Sequence, residues 1–291
     1  MRKIIFCTLA ASSFLLLQSC SKKLFKADAP IELTQAWASD NILKTPESVL
    51  FDESRNVLYV SNINKMSGNN KDGDGFISVL NPDGQVENLY WVTGLNDPKG
   101  MAISNNVLYV ADVDQVVAIS TQSGAVLGRY QAEGAKFLND VAADKSGNVY
   151  ISDSETKRIY HLRNGRVSTW IENTENEKPN GLFIENDNRM IVALMSSGEV
   201  NLLDPQTKEF TEWTEGIPSA DGIVQLENGD YLVSNWSGEI YYVNQEGKNW
   251  KVLDTQANKI NAADIGFSEQ TGTVYVPTFN DNRVVAYNVT F

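Results

Sequence analysis

Short runs of β-branched and aromatic residues recur along the chain, and each run is bounded by polar or turn-forming residues. Six equivalent runs are Leu58-Tyr59-Val60, Leu108-Tyr109-Val110, Val149-Tyr150-Ile151, Met190-Ile191-Val192, Tyr231-Leu232-Val233 and Val274-Tyr275-Val276. A further apolar run follows each of them, at residues 77–80, 116–119, 159–162, 200–203, 240–243 and 284–287. Runs of this length and composition are typical of β-strands. The pattern predicts six repeated units, each containing these two strands.

A charged or amide-bearing residue precedes each of the first runs by about ten to twelve residues, and it marks the start of the unit. These six anchors are Glu47, Lys99, Asn139, Asn180, Asp221 and Asp264, and successive anchors are 52, 40, 41, 41 and 43 residues apart. A period of about 40 to 45 residues built of short strands is typical of β-propeller blades. The anchors are therefore predicted to open the innermost strands and to ring one central axis.

Turn-forming residues follow the third strand of the units and predict a hairpin into a fourth, outer strand. They include Ser123-Gly124, Asn164-Gly165 and Glu246-Gly247. Four tryptophans mark outer strands, namely Trp91, Trp170, Trp213 and Trp250.

The sixth unit has residues for only three strands before Phe291, which would leave an unpaired edge of the kind that propellers avoid. Residues 31–37 are strand-like, precede the first anchor and end on Trp37. We predict that they complete the sixth blade. The sequence thus predicts an all-β, six-bladed β-propeller over residues 31–291, whose N-terminal strand closes the last blade.

The first 19 residues have the features of a secretory signal peptide. Arg2 and Lys3 precede an apolar run over residues 4–17, and Cys20 follows Ser19. This end resembles a bacterial lipoprotein signal, which implies that Cys20 is lipidated and begins the mature chain. An uncleaved anchor is the weaker alternative, because the run is shorter than the roughly 20 residues of a membrane span. We expect residues 20–30 to be a tether that holds the protein at the bacterial cell envelope, and Ser21 favours the outer membrane by analogy with other lipoproteins.

Charge and cysteine content narrow the functional classes. The formal net charge is -13 and the sequence has no basic stripe, so a nucleic-acid partner is not expected. The two cysteines are Cys7, in the signal, and Cys20. With Cys20 lipidated, no thiol remains for a disulfide or a cysteine-ligated metal. We expect a monomer that is held together by packing and strand pairing.

Four of the anchors, Glu47, Asn139, Asn180 and Asp221, offer only hard oxygen ligands, two charged and two neutral. Such a set suits calcium, which accepts six to eight oxygens in irregular geometry, although another divalent cation would also fit. It suits zinc or copper poorly, because the one histidine, His161, falls in a predicted third strand. The alternative is that these residues only cap the turns before the strands, where Asn and Asp are common.

Lys99 is predicted to point toward the tunnel beside Glu47. A pair of unit charges about 4 Å apart is worth on the order of 4 kcal/mol at an effective dielectric of 20, so Lys99 could compete with a cation for Glu47. It could instead bind an anionic part of a substrate, replace the metal, or form an internal ion pair. The sequence leaves these readings open.

The anchors also carry a resemblance to a known family. The segments concerned are Thr45-Pro46-Glu47, Leu138-Asn139-Asp140, Pro179-Asn180-Gly181-Leu182 and Ala220-Asp221-Gly222-Ile223, the last followed by Val233-Ser234-Asn235-Trp236. They are similar to the metal-site motifs of the six-bladed family that comprises regucalcin, gluconolactonase, luciferin-regenerating enzyme and diisopropyl fluorophosphatase. The resemblance spans about residues 31–291.

The resemblance implies a calcium-dependent hydrolase that acts on lactone or ester bonds in the central tunnel. It implies Glu47, Asn139, Asn180 and Asp221 as calcium ligands, and Asp221 becomes the candidate general base or nucleophile. One departure is Ser48-Val49 after the glutamate, where the family often has Gly-Pro. No Gly-x-Ser-x-Gly motif occurs, which argues against a Ser-His-Asp hydrolase.

Two other functions remain open, since propellers host enzymes, sugar binders and protein scaffolds alike. One is a non-catalytic propeller at the cell envelope whose loops bind a glycan or a protein, and the other is a structural calcium site without turnover. The segment Lys71-Asp72-Gly73-Asp74-Gly75 resembles the start of a calcium loop but lacks the acidic residue that ends one, so we predict a turn within an extended rim loop.

Overall fold

The computed structural model describes residues 29–65 and 71–291. The predicted signal peptide, the lipidation position Cys20 and all but the end of the predicted tether lie outside the described residues. So does the middle of the predicted rim loop, at residues 66–70.

The described residues form six antiparallel four-stranded sheets, which contain all of their strands. The strands in chain order are β1 Glu32–Ala38, β2 Pro46–Asp52, β3 Val57–Asn62, β4 Gly75–Leu80, β5 Val86–Leu95, β6 Pro98–Ser104, β7 Val107–Asp112, β8 Gln115–Ser120, β9 Val126–Gln131, β10 Leu138–Ala143, β11 Val149–Asp153, β12 Arg158–Arg163, β13 Arg166–Ile171, β14 Pro179–Ile184, β15 Met190–Leu194, β16 Glu199–Leu203, β17 Phe210–Thr214, β18 Ala220–Gln225, β19 Tyr231–Asn235, β20 Glu239–Val243, β21 Asn249–Asp254, β22 Gly266–Ser268, β23 Thr273–Pro277 and β24 Val284–Thr290. The predicted all-β, six-bladed propeller is confirmed.

Five sheets use four consecutive strands, from β2–β5 to β18–β21, and the sixth has the order β1-β24-β23-β22. In this sixth blade Glu32 lies opposite Thr290 and Ala38 opposite Val285. Trp37 of β1 packs against Tyr275 with ring centroids 5.8 Å apart. The N-terminal strand therefore closes the ring, as the sequence predicts.

The core is divided among the interfaces between neighbouring blades. Leu58 and Val60 of the first blade pack with Tyr275 and Val284 of the sixth, and comparable clusters fill the other five interfaces. Full burial of one such side chain stabilises the fold by about 1.5–3 kcal/mol. Since each blade buries both faces, the second and third strands are predominantly apolar, which is why they are easily recognised in the sequence.

Helical structure is limited to two single-turn 3-10 segments, Gln256–Asn258 and Phe279–Asp281, among the described residues. No helix within residues 29–65 and 71–291 is long and apolar enough to cross a membrane.

Candidate metal and substrate site

An irregularity at the start of the inner strand sets up the site in each of the first five blades. Pro46 pairs with Asn62 and Val49 with Val60, so the two residues between them fall in a bulge and do not pair directly. Equivalent shifts occur in β6, β10, β14 and β18. A bulge re-aims side chains next to a sheet edge, and here it turns two consecutive residues of each blade toward the central tunnel.

The register of the strands places these residues in two stacked rings. The upper ring consists of Glu47, Lys99, Asn139, Asn180, Asp221 and Ala263. The lower ring consists of Ser48, Gly100, Asp140, Gly181, Gly222 and Asp264. Side chains of the upper ring and of the lower ring line two different cavities, so the two rings face opposite ends of the tunnel.

The prediction of Asp264 as the sixth anchor is wrong by one position, because Ala263 is the residue equivalent to the other anchors. Gly266 pairs with Tyr275, as Leu50 pairs with Tyr59 in the first blade, which makes Ala263 the equivalent of Glu47. A shift of one residue moves a strand side chain to the opposite side. Asp264 therefore belongs to the lower ring, and the sixth blade contributes only a buried methyl group to the upper ring.

The other five anchors line one cavity of about 400 Å³ at the upper end of the tunnel, which we call the upper cavity. Glu47, Lys99, Asn139, Asn180 and Asp221 form its floor, and each is at least nine-tenths buried. Asp97 also lines it, together with five apolar side chains, Ile63, Phe137, Met195, Trp236 and Phe279. The structure therefore brings together all four predicted calcium ligands and Lys99.

The amide nitrogens of the floor are held by hydrogen bonds to neighbouring groups. Asn139 donates its side-chain N–H to Ser154 Oγ at 3.0 Å, and Asn180 donates to the carbonyl of Ala220 at 3.3 Å. The Oδ1 of Asn180 and the Oε2 of Glu47 are buried without a hydrogen-bond partner among the described residues. A buried acceptor without a partner costs about 1–3 kcal/mol, and more when it is charged. These two oxygens are thus poised to accept a cation or a donor.

Burial raises the pKa of Glu47 well above its ordinary value, and the carboxylates of Asp221, Asp264 and Asp140 raise it further. The positive charge of Lys99 acts in the opposite direction. Burial and Asp264 likewise raise the pKa of Asp221, against a hydrogen bond from Asn180 and the charge of Lys99. One lysine therefore does not balance the acidic groups of the tunnel, and a divalent cation would stabilise their ionised forms.

The side chain of Lys99 extends from the floor toward Phe137. Its ammonium group is 4.8 Å from the centre of the Phe137 ring, a cation–π distance. It acts electrostatically on both Glu47 and Asp221. Lys99 therefore lies in the tunnel with Glu47, as predicted, and its positive charge acts on Asp221 as well.

The lower ring joins blades to one another. Asp264 accepts a hydrogen bond from Ser48 Oγ at 2.5 Å, and Asp140 accepts one from the backbone N–H of Leu182 at 2.6 Å. The three glycines of this ring allow the inner strands of neighbouring blades to lie close together, because a side chain there would meet the next strand. A Cβ on Gly181 would lie 1.9 Å from the carbonyl oxygen of Asp221, and one on Gly100 would meet Asp140 at 2.2 Å.

A second cavity, also of about 400 Å³, opens at the other end of the tunnel and includes Ser48, Asp140 and Asp264 in its lining. Burial raises the pKa of Asp264 to about 7, while the bond from Ser48 opposes the shift. Burial and the charge of Asp264 also raise the pKa of Asp140, although backbone N–H groups of Leu182 and Val141 stabilise its ionised form.

No three acidic or histidine side chains of the described residues come close enough to hold a metal ion by themselves. A cation in the upper cavity would therefore need the amide oxygens of Asn139 and Asn180 as well as the carboxylates. That donor set is the one the sequence predicts, and it is typical of calcium rather than of zinc.

The remaining predicted features lie away from the cavity. His161 is in β12, stacked on Tyr150 at 4.7 Å, and burial lowers its pKa. The segment 71–74 forms a turn before β4, as predicted, and Lys71 forms an ion pair with Asp114.

Sequence reasoning missed Asp97, Asp140 and the apolar wall. Asp140 directly follows an anchor, and four of the wall residues share a position after the second strand, but no motif in the sequence marks either as part of a site. Asp97 precedes an inner strand and carries no repeat signal of its own.

The comparisons with known proteins agree on the fold. No model of a protein family matches the chain, and no curated protein sequence matches it. Among solved structures, a candidate gluconolactonase is similar with a TM-score of 0.65 and 15% identity, over 90% of this chain and 93% of that protein.

A streptogramin B lyase is similar with a TM-score of 0.64 and 12% identity, over 89% of this chain and 97% of the lyase. Virginiamycin B lyase from Staphylococcus aureus, in a catalytically inactive histidine-to-alanine variant with Quinupristin, has a TM-score of 0.64 and 10% identity, over 89% and 99% of the two chains. At these identities the likeness shows the fold and not the activity.

Proposed function

We propose that the protein is a calcium-dependent hydrolase of lactone or ester bonds that works in the upper cavity. The observation that carries the proposal is the convergence of Glu47, Asn139, Asn180 and Asp221, from four different blades, on one cavity. Two acceptor oxygens there have no hydrogen-bond partner among the residues that the structure describes. The similar fold of a candidate gluconolactonase supports the reaction class by analogy.

The four side chains fit calcium by their chemistry. They offer carboxylate and amide oxygens, and the amide nitrogens of Asn139 and Asn180 are already used in hydrogen bonds to Ser154 and Ala220. A bound calcium would polarise the carbonyl of the scissile bond and stabilise the negative charge that develops on its oxygen.

Asp221 is the residue proposed to act on the substrate. Its carboxylate is buried and is oriented by a hydrogen bond from Asn180, and in the ionised form that a bound cation would stabilise it can accept a proton. In this role it removes a proton from water as the water attacks the carbonyl carbon. Attack by the carboxylate itself is the other chemistry open to it.

Lys99 is proposed to bind substrate. Its ammonium group lies over Phe137 and acts on both acidic ligands, so it can hold an oxygen of the substrate or the carboxylate product near Asp221. The alternative is a lysine that stabilises the acidic floor in place of a metal.

A lyase reaction is not carried over from the similar lyases. Replacement of a histidine is associated with inactivity in one of them, whereas His161 of this chain lies in β12, outside the cavity. We further propose that the protein is a monomer and that lipidated Cys20 holds it at the cell envelope.

Turnover across a panel of lactones and aryl esters tests the function. We expect hydrolysis by the purified protein in calcium, loss of hydrolysis in chelator, and recovery when calcium is restored, since the scissile carbonyl would be polarised only in the presence of the metal. Activity that chelator does not change would contradict the calcium dependence. If no compound is hydrolysed although calcium binds, the site is structural.

A further inference from the structure

A third ring of repeated positions lies above the upper ring. In the first blade the residue is Ile63, which comes four positions after Tyr59, the second-strand residue opposite Leu50. The equivalent residues of the six blades are Ile63, Val113, Ser154, Met195, Trp236 and Phe279. Four of the six, Ile63, Met195, Trp236 and Phe279, line the cavity. Together with Phe137 they form what we call the apolar collar.

The collar is packed and not a set of scattered side chains. Trp236 meets Phe279 edge to face with ring centroids 5.4 Å apart. Ile63, Phe279 and Ala263 form one buried cluster against which Trp236 packs. Ala263, which holds the position of an anchor in the sixth blade, is fully buried beneath this apolar side and adds no polar group to the floor.

Apart from Asp97, the polar side chains that line the cavity therefore lie in its floor. Above the upper ring, Asp97 is the one polar side chain among the lining residues that the structure describes. A ligand with several hydroxyl groups would lose its hydrogen bonds to water against the collar, and each unpaired polar group is costly to bury. An apolar ligand body gains affinity for each CH₂ group that is removed from water.

We infer that the substrate is a lactone or ester with an apolar alkyl or aryl body, and not a sugar lactone. This inference rests on the proposed function for the reacting bond and on the collar for the remainder of the substrate. The scissile carbonyl lies at the floor near Asp221 and Lys99, and the apolar body lies against Trp236, Phe279 and Ile63.

A matched pair of lactones tests this inference. δ-Decalactone and glucono-δ-lactone share the six-membered lactone ring, and they differ in a five-carbon chain against a set of hydroxyl groups. We expect kcat/KM in calcium to be at least about 100-fold higher for δ-decalactone, given the value of each buried CH₂ group. Equal rates, or faster hydrolysis of glucono-δ-lactone, would overturn the inference and leave the proposed function intact.

Binding of unreactive analogues separates the inference from the proposed function. The lactams that correspond to the two lactones are titrated into the protein by calorimetry, with calcium and with chelator. Tighter binding of the alkyl lactam supports the inference even if no lactone is hydrolysed, in which case only the proposed function fails. Tighter binding of the sugar lactam refutes it whatever the rates are.

Trp236→Ala identifies the collar as the source of the preference. We expect the variant to lose about tenfold in kcat/KM for δ-decalactone and in affinity for the alkyl lactam, while hydrolysis of unsubstituted δ-valerolactone changes little. Trp250→Ala is the matched control, because Trp250 lies in the outer strand β21 and packs on Tyr242. An equal loss in both tryptophan variants, or no loss in Trp236→Ala, would contradict the assignment.

Discussion

Asp221→Asn is expected to lower kcat/KM for a lactone substrate by about 10²–10⁴-fold, the range of a lost general base. Asparagine has nearly the same shape and can still bond to Asn180, but it cannot accept a proton from water. It also removes one of the two negative charges proposed to hold calcium. The measurement is the initial rate of hydrolysis at saturating calcium, so that a change in metal affinity does not account for the loss.

Asp264→Asn is the matched control for this substitution. Asp264 also lies in the tunnel, but it is less buried than Asp221, belongs to the lower ring and bonds to Ser48. We expect this variant to retain hydrolysis within a few-fold of the native protein. If Asp221→Asn hydrolyses lactones at the native rate, or if both variants lose activity equally, then Asp221 does not have the proposed role.

Without divalent cations, the protein is expected to become less stable as the pH rises from about 4 to about 7. Burial raises the pKa of Asp264 from 3.8 to about 7, and it raises those of Glu47, Asp140 and Asp221 in the same direction. A carboxyl group whose pKa is higher in the folded state binds its proton more tightly there. Its contribution to stability is therefore complete below about pH 4 and is lost as the pH passes through the folded pKa.

For Asp264 alone the loss is on the order of 4 kcal/mol, at about 1.4 kcal/mol for each unit of pKa. The measurement is the free energy of unfolding in urea with chelator at pH 5 and at pH 8. Asp264→Asn should show a smaller decrease and should be more stable than the native protein at pH 8. A native stability that is constant or increases from pH 5 to pH 8 in chelator would contradict this account.

The blade pattern could be predicted from the sequence because buried strands leave a direct trace. The second and third strands are predominantly apolar on both faces. The closing strand could be predicted from Trp37 and from the missing fourth strand of the sixth blade. The four proposed ligands could be predicted because the register of five blades is the same at the bulge.

Asp264 could not be placed correctly because the inner hairpins differ in length. Equivalent positions are 12 residues apart from Glu47 to Tyr59 and from Ala263 to Tyr275, but 11 apart from Asn139 to Tyr150. A single residue decides between the two rings, and an acidic residue at the expected distance favours the wrong choice. The strand pairing settles the register where spacing alone does not.

The apolar collar escaped prediction for a different reason. Ile63, Met195, Trp236 and Phe279 share a position after the second strand, but they differ in size and shape, so no motif connects them. Only their convergence in three dimensions shows that they enclose one space. The same holds for Asp140, whose bond to Leu182 joins two blades.

Calorimetric titration with calcium tests the central claim most directly. The account predicts saturable binding of one calcium ion to the native protein, clear weakening in both Glu47→Gln and Asp221→Asn, and retained binding in Asp264→Asn. An equivalent effect of all three substitutions, or a native protein that binds no calcium at millimolar concentration, would contradict it.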